Sequence, residues 1–160
     1  MIYLDTSALL KLYIREPDSE AVQAYVMAQD DPLPVWELQQ VELINAFRLK
    51  VFWGDLKGGQ AEQLIELFEQ RMHRGQYFFP DIDRAELMMT FRALSRETLR
   101  MGCRTMDILH VACALQLAPQ RFISFDERQR RLAAHAHLTV LPESPPAPKP
   151  SLRDNPRRLN

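Results

Sequence analysis

The stretch that decides the fold is MIYLDTSALLKLY, residues 1–13. The apolar run at 2–4 predicts a strand, and Asp5 directly after it ends the strand. Thr6 or Ser7 is then placed to cap a helix. A strand that passes straight into a helix is typical of α/β proteins, in which helices alternate with parallel strands.

The same alternation continues along the chain. Further helices are predicted at about 19–28, 38–52, 61–71, 83–100, 105–117 and 126–134, and strands at 33–36, 121–125 and 138–141. We therefore expect an α/β fold, a three-layer α/β/α domain with a parallel central sheet covered by helices on both faces. Open sheets of this class bind ligands beyond the carboxyl ends of their strands.

The composition is that of one ordinary globular domain. The 160 residues carry 20 Lys and Arg against 21 Asp and Glu, and 46% are hydrophobic. A net charge of −1 gives no overall attraction for nucleic acid, so any such binding must be local. The longest uncharged stretch, 108–120, is shorter than the about 20 residues that cross a bilayer. Asp5 is a charged residue where the apolar region of a signal sequence would have to run. We expect a cytoplasmic protein without membrane contact, in which Cys103 and Cys113 stay reduced.

The last 19 residues differ in character from the rest. From Pro142 onward the chain holds six of its eleven prolines and a net charge of +2. Such a segment buries too little apolar surface to offset the entropy of ordering it. We predict a folded domain over residues 1–141 and a flexible Pro/Arg-rich tail over 142–160.

Four acids are notable for their positions. Asp5 and Asp126 each follow a predicted strand, where ligands of this fold class bind. Glu42 and Asp107 lie inside apolar runs near helix N-termini, and a carboxylate is costly to bury there unless it is paired or metal-bound. Each of these acids also suits a helix cap or the helix dipole. Position alone leaves both roles open.

Four stretches, in this order, resemble the motifs of PIN domains, in the short form of VapC-type toxins of bacterial toxin–antitoxin pairs. They are residues 1–13, VELINAF at 41–47, MDILHVACA at 106–114 and FISFDER at 122–128. The resemblance covers residues 1–141. Before the second motif, where the family often has a Ser or Thr, this chain reads WELQQ at 36–40.

The resemblance implies a set of site residues. The acids that match the family's metal-binding quartet for Mg²⁺ or Mn²⁺ are Asp5, Glu42, Asp107 and Asp126. Thr6 and Ser124 match the hydroxyl positions beside them. The chemistry agrees, because Mg²⁺ takes oxygen ligands and such ions activate water for phosphodiester hydrolysis. The sequence has no P-loop, G-x-S-x-G or zinc motif that would indicate another chemistry.

Five basic residues are candidates for substrate contact. Lys11 lies on the first predicted helix, and His110 lies one turn beyond the third acid. Arg96, Arg100 and Arg104 recur every four residues and form a basic stripe if the helix continues. A solvated lysine, a packed core histidine and a solvated arginine face are the competing interpretations.

The resemblance implies a metal-dependent endoribonuclease, the toxin of a VapBC-like pair, that acts on RNA as a homodimer. It also implies a small VapB-like antitoxin, for which Phe52 and Trp53 are candidate anchors. One alternative is a catalytically silent PIN-like scaffold that binds RNA or protein, which a broken quartet would indicate. A receiver-like phosphoacceptor domain would need paired acids after the first strand, where this chain has Asp5.

Overall fold

In the computed structural model, which describes residues 1–143, helices and strands alternate as predicted. The elements in chain order are β1 (Ile2–Leu4), α1 (Thr6–Leu10), α2 (Ser19–Met27), β2 (Leu33–Pro34), α3 (Glu37–Phe52), α4 (Gln60–His73), β3 (Tyr77–Phe78), α5 (Arg84–Leu94), α6 (Thr98–Met101), α7 (Thr105–Leu117), β4 (Arg121–Ile123), α8 (Glu127–His135) and β5 (Val140–Leu141). A single 3₁₀ turn, Ser95–Glu97, joins α5 to α6.

The strands pair in parallel, as predicted. One sheet has the order β1-β4-β5, with Tyr3 opposite Phe122 and Phe122 opposite Val140. β2 and β3 form a second parallel ladder that lies beside β1. Gln39 at the start of α3 links this helix to β1, because its Nε2 donates to the carbonyl of Leu4 at 2.6 Å.

Two hydrophobic cores, one on each face of the sheet, confirm the three-layer architecture. Ile2 and Leu4 of β1 and Ile123 of β4 pack against α1, α2, α3 and α4. Tyr3 of β1 and Phe122 of β4, which alternate with these residues along their strands, pack against α5, α7 and α8. Since successive side chains of a strand point to opposite faces, both faces of the sheet are covered by helices.

The first helix is capped differently from the prediction. Asp5, and not Thr6 or Ser7, is the N-cap, because its side chain accepts a hydrogen bond from the backbone N–H of Ala8 at 2.8 Å. Thr6 and Ser7 are the first two residues of the helix. Their hydroxyls are thereby free to bind other side chains.

Two other elements depart from the prediction. The helix expected at 83–100 is divided into α5, the 3₁₀ turn and α6, and it ends at Gly102, whose φ of +66° is left-handed. The strand β3 was not predicted, because two residues carry no alternation to detect.

The predicted tail begins at Pro142, and its residues from 144 onward lie outside the described residues. At the junction between domain and tail, Arg130 donates to the carbonyls of Ser124, Leu141 and Pro142 at 2.8, 2.9 and 2.5 Å. Within residues 1–143, no helix has the length and apolar character needed to cross a bilayer.

Candidate active site

A cleft of about 420 Å³ opens at the carboxyl edge of the sheet. The four predicted acids reach it from four different parts of the fold. Asp5 follows β1, Glu42 lies in α3, Asp107 lies in α7 and Asp126 directly precedes α8. The residues that line the cleft are Asp5, Thr6, Ser7, Glu42, Arg104, Thr105, Met106, Asp107, His110, Asp126 and Gln129. The fold therefore brings together side chains that are far apart in sequence.

Asp5 is held from both sides by neutral donors. Its Oδ1 accepts from Ser7 Oγ at 2.7 Å and from the N–H of Ala8 at 2.8 Å. Its Oδ2 accepts from Ser124 Oγ at 2.6 Å. Burial raises the pKa of Asp5 above its ordinary value even though these hydrogen bonds act in the opposite direction. Both oxygens of this carboxylate are thus fixed in place.

Glu42 is held through one of its two oxygens. Its Oε2 accepts from Thr6 Oγ1 at 2.5 Å and lies 2.7 Å from His110 Nε2. Burial acts to raise the pKa of Glu42, but the hydrogen bonds from His110 and Thr6 outweigh it, so this pKa is below its ordinary value. The carboxylate is therefore ionised at neutral pH.

Asp107 and Asp126 each bind the first turn of a helix. Asp107 Oδ2 accepts from the backbone N–H of Arg104 at 2.7 Å. Asp126 Oδ1 accepts from the N–H groups of Arg128 and Gln129 at 2.9 and 3.2 Å. Burial raises the pKa of Asp107, and the charge of Asp126 raises it further. These two carboxylates therefore repel each other across the cleft.

Helix capping does not use up these acids. Among residues 1–143, no hydrogen bond reaches Glu42 Oε1, Asp107 Oδ1 or Asp126 Oδ2. In the same range, His110 is the one basic side chain with a nitrogen within 4.0 Å of any of the four carboxylates. The cleft therefore combines free carboxylate oxygens with four acids, of which Glu42 alone contacts a basic side chain among residues 1–143.

The donor chemistry of the cleft fits Mg²⁺ or Mn²⁺, because both ions prefer carboxylate and water oxygens. Within the described part of the chain, however, no three His, Cys, Asp or Glu side chains stand close enough together to hold an ion without moving. Mg²⁺ often keeps several waters and uses only one or two carboxylates. An ion here therefore requires either such a watery shell or a rotation of the carboxylates.

The residues predicted to support the four acids lie in contact with them. Thr6 and Ser124 donate to Glu42 and Asp5, respectively. His110 also reaches the site, but its ring is 2% exposed, and its Nδ1 lies 2.9 Å from Tyr3 Oη. The ring thus lies beneath Glu42, where both of its nitrogens already have partners.

Lys11 is committed to other partners. Its side chain is 8% exposed, and Nζ donates to the carbonyl of Pro17 at 2.7 Å and to Glu16 Oε2 at 3.4 Å. The same ammonium group lies 4.6 Å from the centre of the Phe125 ring. The expectation that Lys11 contacts substrate is therefore not supported by its position.

The three arginines do not share one helix face. Gly102 ends α6, so Arg104 lies beyond the break, at the start of α7. Arg100 is paired with Glu97 at 2.7 Å. Of the three, Arg104 lines the cleft, and it is the arginine that the fold brings to the acids.

Several residues of the site were missed from the sequence. Ser7 donates to Asp5 and accepts from the N–H of Phe125 at 2.9 Å. Tyr3 accepts from Trp36 Nε1 at 3.1 Å, and burial raises its pKa well above the ordinary value, so the phenol stays protonated. Two signals in the sequence indicate these residues. Ser7 is a second hydroxyl residue directly after Thr6, and a buried tyrosine such as Tyr3 needs a hydrogen-bond partner for its hydroxyl.

The comparisons with known proteins agree with this architecture. The PIN domain family matches residues 2–135. The chain is 26% identical over 145 residues to Ribonuclease VapC46 of Mycobacterium tuberculosis, a match that covers 89% of this chain and 98% of that protein.

Two solved structures share the fold. VapC20 of Mycobacterium tuberculosis, a sarcin-ricin-loop-cleaving toxin, superposes with a TM-score of 0.63 at 14% identity and covers 87% of this chain and 97% of that one. VapBC2 of Rickettsia felis, bound to a fragment of its promoter DNA, gives 0.60 at 16% identity, with 88% and 97% covered. By the match over residues 2–135 and by its three-layer fold, the chain belongs to the PIN domain family.

Proposed function

We propose that the chain is a metal-dependent endoribonuclease, the toxin of a VapBC-like pair, that hydrolyses RNA phosphodiesters with metal-activated water in the cytoplasm. The observation that carries the proposal is the cleft itself. Four carboxylates from four elements line it, and three of them present an oxygen that no other described residue binds. The ribonuclease and toxin names of the relatives support the same conclusion.

In this proposal Asp5, Glu42 and Asp107 hold a first Mg²⁺ or Mn²⁺, and Asp126 holds a second ion or orients the attacking water. When bound, such an ion supplies Lewis-acid polarisation of the phosphodiester and a hydroxide nucleophile near neutral pH. The contacts of Glu42, Asp107 and Asp126 each use one carboxylate oxygen, so the other oxygen of each is available for an ion. Because Asp5 is held from both sides, it is the fixed point of the set.

Substrate recognition is assigned to the rim of the cleft. Arg104 lines the cleft beside the acids, and a guanidinium group binds phosphate oxygens with two parallel hydrogen bonds. Unpaired RNA can bring a single phosphodiester into a narrow cleft, whereas a duplex presents its backbone on a rigid outer surface. We therefore propose single-stranded loops or ends of RNA as the substrate.

The proposal includes two protein partners. A small VapB-like antitoxin is proposed because VapBC2 is a pair of this kind, and exposed aromatic residues at the end of α3 offer it an anchor. Phe52 is 79% exposed and Trp53 is 55% exposed, and aromatic anchors often dominate interfaces. A homodimer is proposed on the family resemblance, and sedimentation of the purified protein tests it.

The test is cleavage of single-stranded RNA by purified protein with Mg²⁺ or Mn²⁺ and with EDTA. We expect Asp107→Asn to lose about a thousandfold in rate, because an amide is a poor ligand and metal chemistry contributes several kcal/mol. Asp83→Asn is the matched control, since Asp83 caps α5 through Ala85 and Glu86 and does not line the cleft. Equal loss in both variants, or cleavage that survives EDTA, would contradict the proposal.

A catalytically silent PIN-like scaffold is the second candidate. It is favoured by the separation of the carboxylates, since no three potential ligands among residues 1–143 stand together in the resting protein. The same assay separates the two functions. A scaffold binds RNA in a gel-shift experiment but leaves it intact under every metal condition.

A further inference from the structure

A chain of hydrogen bonds runs beneath the cleft from Trp36 to Glu42. Trp36 Nε1 lies 3.1 Å from Tyr3 Oη, and Tyr3 Oη lies 2.9 Å from His110 Nδ1. His110 Nε2 in turn lies 2.7 Å from Glu42 Oε2. Tyr3 is fully buried and His110 is 2% exposed. Water therefore cannot easily replace the two middle links.

The chemistry of these groups favours one direction for the chain. The indole N–H of Trp36 can only donate, so Tyr3 Oη accepts from it and has one proton left to give. His110 Nδ1, at 2.9 Å, is placed to accept that proton. A neutral imidazole that accepts at Nδ1 carries its own proton on Nε2, and this N–H points at the Glu42 carboxylate. Thr6 donates to the same Glu42 oxygen at 2.5 Å.

We propose that Tyr3 and His110 are positioning residues, which fix the Nε2–H tautomer of His110 so that Glu42 keeps Oε2 bound inward and Oε1 turned toward the cleft. This role rests on the function proposed above, since it concerns how Glu42 meets a cation. Residues that orient a metal-binding carboxylate typically change metal affinity by about 10- to 100-fold. His110 is thus assigned to the support of Glu42 and not to contact with substrate.

The molecule contains a matched control for a buried tyrosine hydroxyl. Tyr77 is 6% exposed, and its hydroxyl lies 2.7 Å from that of Tyr13 in the core on the other face of the sheet. Tyr3→Phe and Tyr77→Phe each delete one buried hydroxyl and one hydrogen bond of a tyrosine pair or chain. The two variants should therefore lose similar stability. They differ in the partner of the lost hydroxyl, because that of Tyr3 is linked through His110 to Glu42 and that of Tyr77 is bound to Tyr13.

The first measurement is the ¹⁵N spectrum of the His110 ring in the metal-free protein at pH 7.5. We expect one tautomer, Nε2–H, in the wild type and in Tyr77→Phe, and a mixture of tautomers in Tyr3→Phe. A wild-type ring that carries its proton on Nδ1, or that is doubly protonated, overturns the proposal. This readout does not depend on cleavage, so it decides the proposal even if the protein cleaves no RNA.

The second measurement is Mg²⁺ binding by calorimetry together with kcat and KM for RNA. Tyr3→Phe should weaken Mg²⁺ binding by about tenfold and lower kcat while KM stays nearly constant, and Tyr77→Phe should change neither. Unaltered Mg²⁺ affinity in a folded Tyr3→Phe protein overturns the proposal. If that variant does not fold, Trp36→Phe removes the first donor instead and should give a smaller loss of the same sign, and wild-type affinity there would equally overturn it.

Discussion

Charged side chains are arranged in two opposite ways in this molecule. In the lysine–acid cluster, defined as Lys11, Glu16, Lys50 and Asp55, carboxylates meet ammonium groups. Lys50 Nζ lies 2.5 Å from Glu16 and 3.1 Å from Asp55, and Lys11 adds a contact to Glu16 at 3.4 Å. In the cleft the carboxylates meet hydroxyl groups, backbone N–H groups and one histidine. The cluster is neutralised from within, whereas the cleft is left negative.

The pKa values of the two regions differ accordingly. Burial acts to raise the pKa of Glu16, but Lys50 and Lys11 outweigh it and the pKa lies below its ordinary value. Burial raises the pKa of Asp5 and of Asp107, and no lysine reverses it. A carboxylate whose folded-state pKa lies below its unfolded value favours folding in its charged form, whereas one whose folded-state pKa lies above that value opposes folding in its charged form. The cluster therefore stabilises the fold, whereas the cleft carries a charge that a cation would relieve.

The largest expected effect is the response of the cleft to metal. An ion that binds only the folded protein adds about 2.7 kcal/mol at 100 times its Kd, and each kcal/mol moves the Tm of a domain of this size by about 2–4 °C. Mn²⁺ should therefore raise the Tm of the wild type by about 5–10 °C at pH 7.5. Asp5→Asn should lose most of this shift in a thermal melt, because an amide neither repels its neighbours nor binds the ion well.

Glu16→Gln is the comparison for that experiment. It removes a carboxylate from the lysine–acid cluster and should keep the whole Mn²⁺ response. A metal response that persists in Asp5→Asn, or that disappears in Glu16→Gln, would show that the two regions do not differ as described.

The next effect is the stability that the lysine–acid cluster provides. Glu16 is 23% exposed and Lys50 is 17% exposed, so the loss in Glu16→Gln should fall between that of a buried pair and that of a surface pair. We expect about 1–2 kcal/mol in urea unfolding, because both lysines lose their shared partner.

Glu20→Gln is the matched control for the cluster. Glu20 is bound by Arg15 at 3.2 Å, but the two side chains are 85% and 89% exposed. A surface pair of this kind contributes at most about 1 kcal/mol. If Glu20→Gln costs as much as Glu16→Gln, burial does not set the strength of the cluster.

The smallest effect is the pH dependence, which should have opposite signs in the two regions. The folded-state pKa of Glu16 is lowered, so its stabilising contribution is complete above the unfolded value of about 4.3 and is lost as pH falls through the folded value. The deficit of Glu16→Gln against the wild type should therefore stay constant from pH 8 to about 5 and shrink below that.

The folded-state pKa of Asp5 is raised, so the reverse holds in the cleft. The metal-free wild type loses stability as pH rises from about 3.9, the unfolded value, through the higher folded value. Asp5→Asn should be more stable than the wild type at pH 7.5, and this advantage should disappear near pH 4. Urea unfolding of both variants and the wild type across pH 4–8 measures the two trends, and equal signs would contradict the comparison.

Local sequence signals together with the resemblance to PIN domains were enough to single out the four acids of the cleft, but nothing in the sequence indicated the lysine–acid cluster. Asp5 and Asp126 were identifiable because each follows an apolar run, and parallel pairing then brings strand ends to one edge. The helix at Thr105–Leu117 was predicted with its observed bounds, since Gly102 marks a break before it and a long apolar run follows. The contacts of Lys11 were not predicted: its Nζ contacts Glu16 and the carbonyl of Pro17, five and six positions away. The cluster around Glu16 also contains Lys50, which lies 34 positions further along the chain, and no local signal indicates that pair.

The same reason explains why the path of hydrogen bonds from Tyr3 through His110 to Glu42 was missed. Strand alternation predicts that Tyr3 faces away from Leu4, but nothing local predicts that His110, 107 positions later, lies against its hydroxyl. The strand β3 and the N-cap Asp5 show a second limit of prediction from local sequence. Two-residue strands carry no period, and three adjacent polar residues each suit an N-cap, so only the folded geometry chooses between them.

Two of the cleft carboxylates are helix caps as well as proposed metal ligands, and this has a consequence for how a gene would lose the proposed activity. Asp5 and Asp126 each bind the first turn of a helix through a side-chain oxygen, and asparagine caps a helix almost as well as aspartate. One transition in an aspartate codon therefore removes the charge and keeps the fold. Under selection against the activity, we expect mutant libraries to accumulate asparagine at both positions in full-length, abundant protein, whereas alanine, which cannot cap, should be found with reduced abundance.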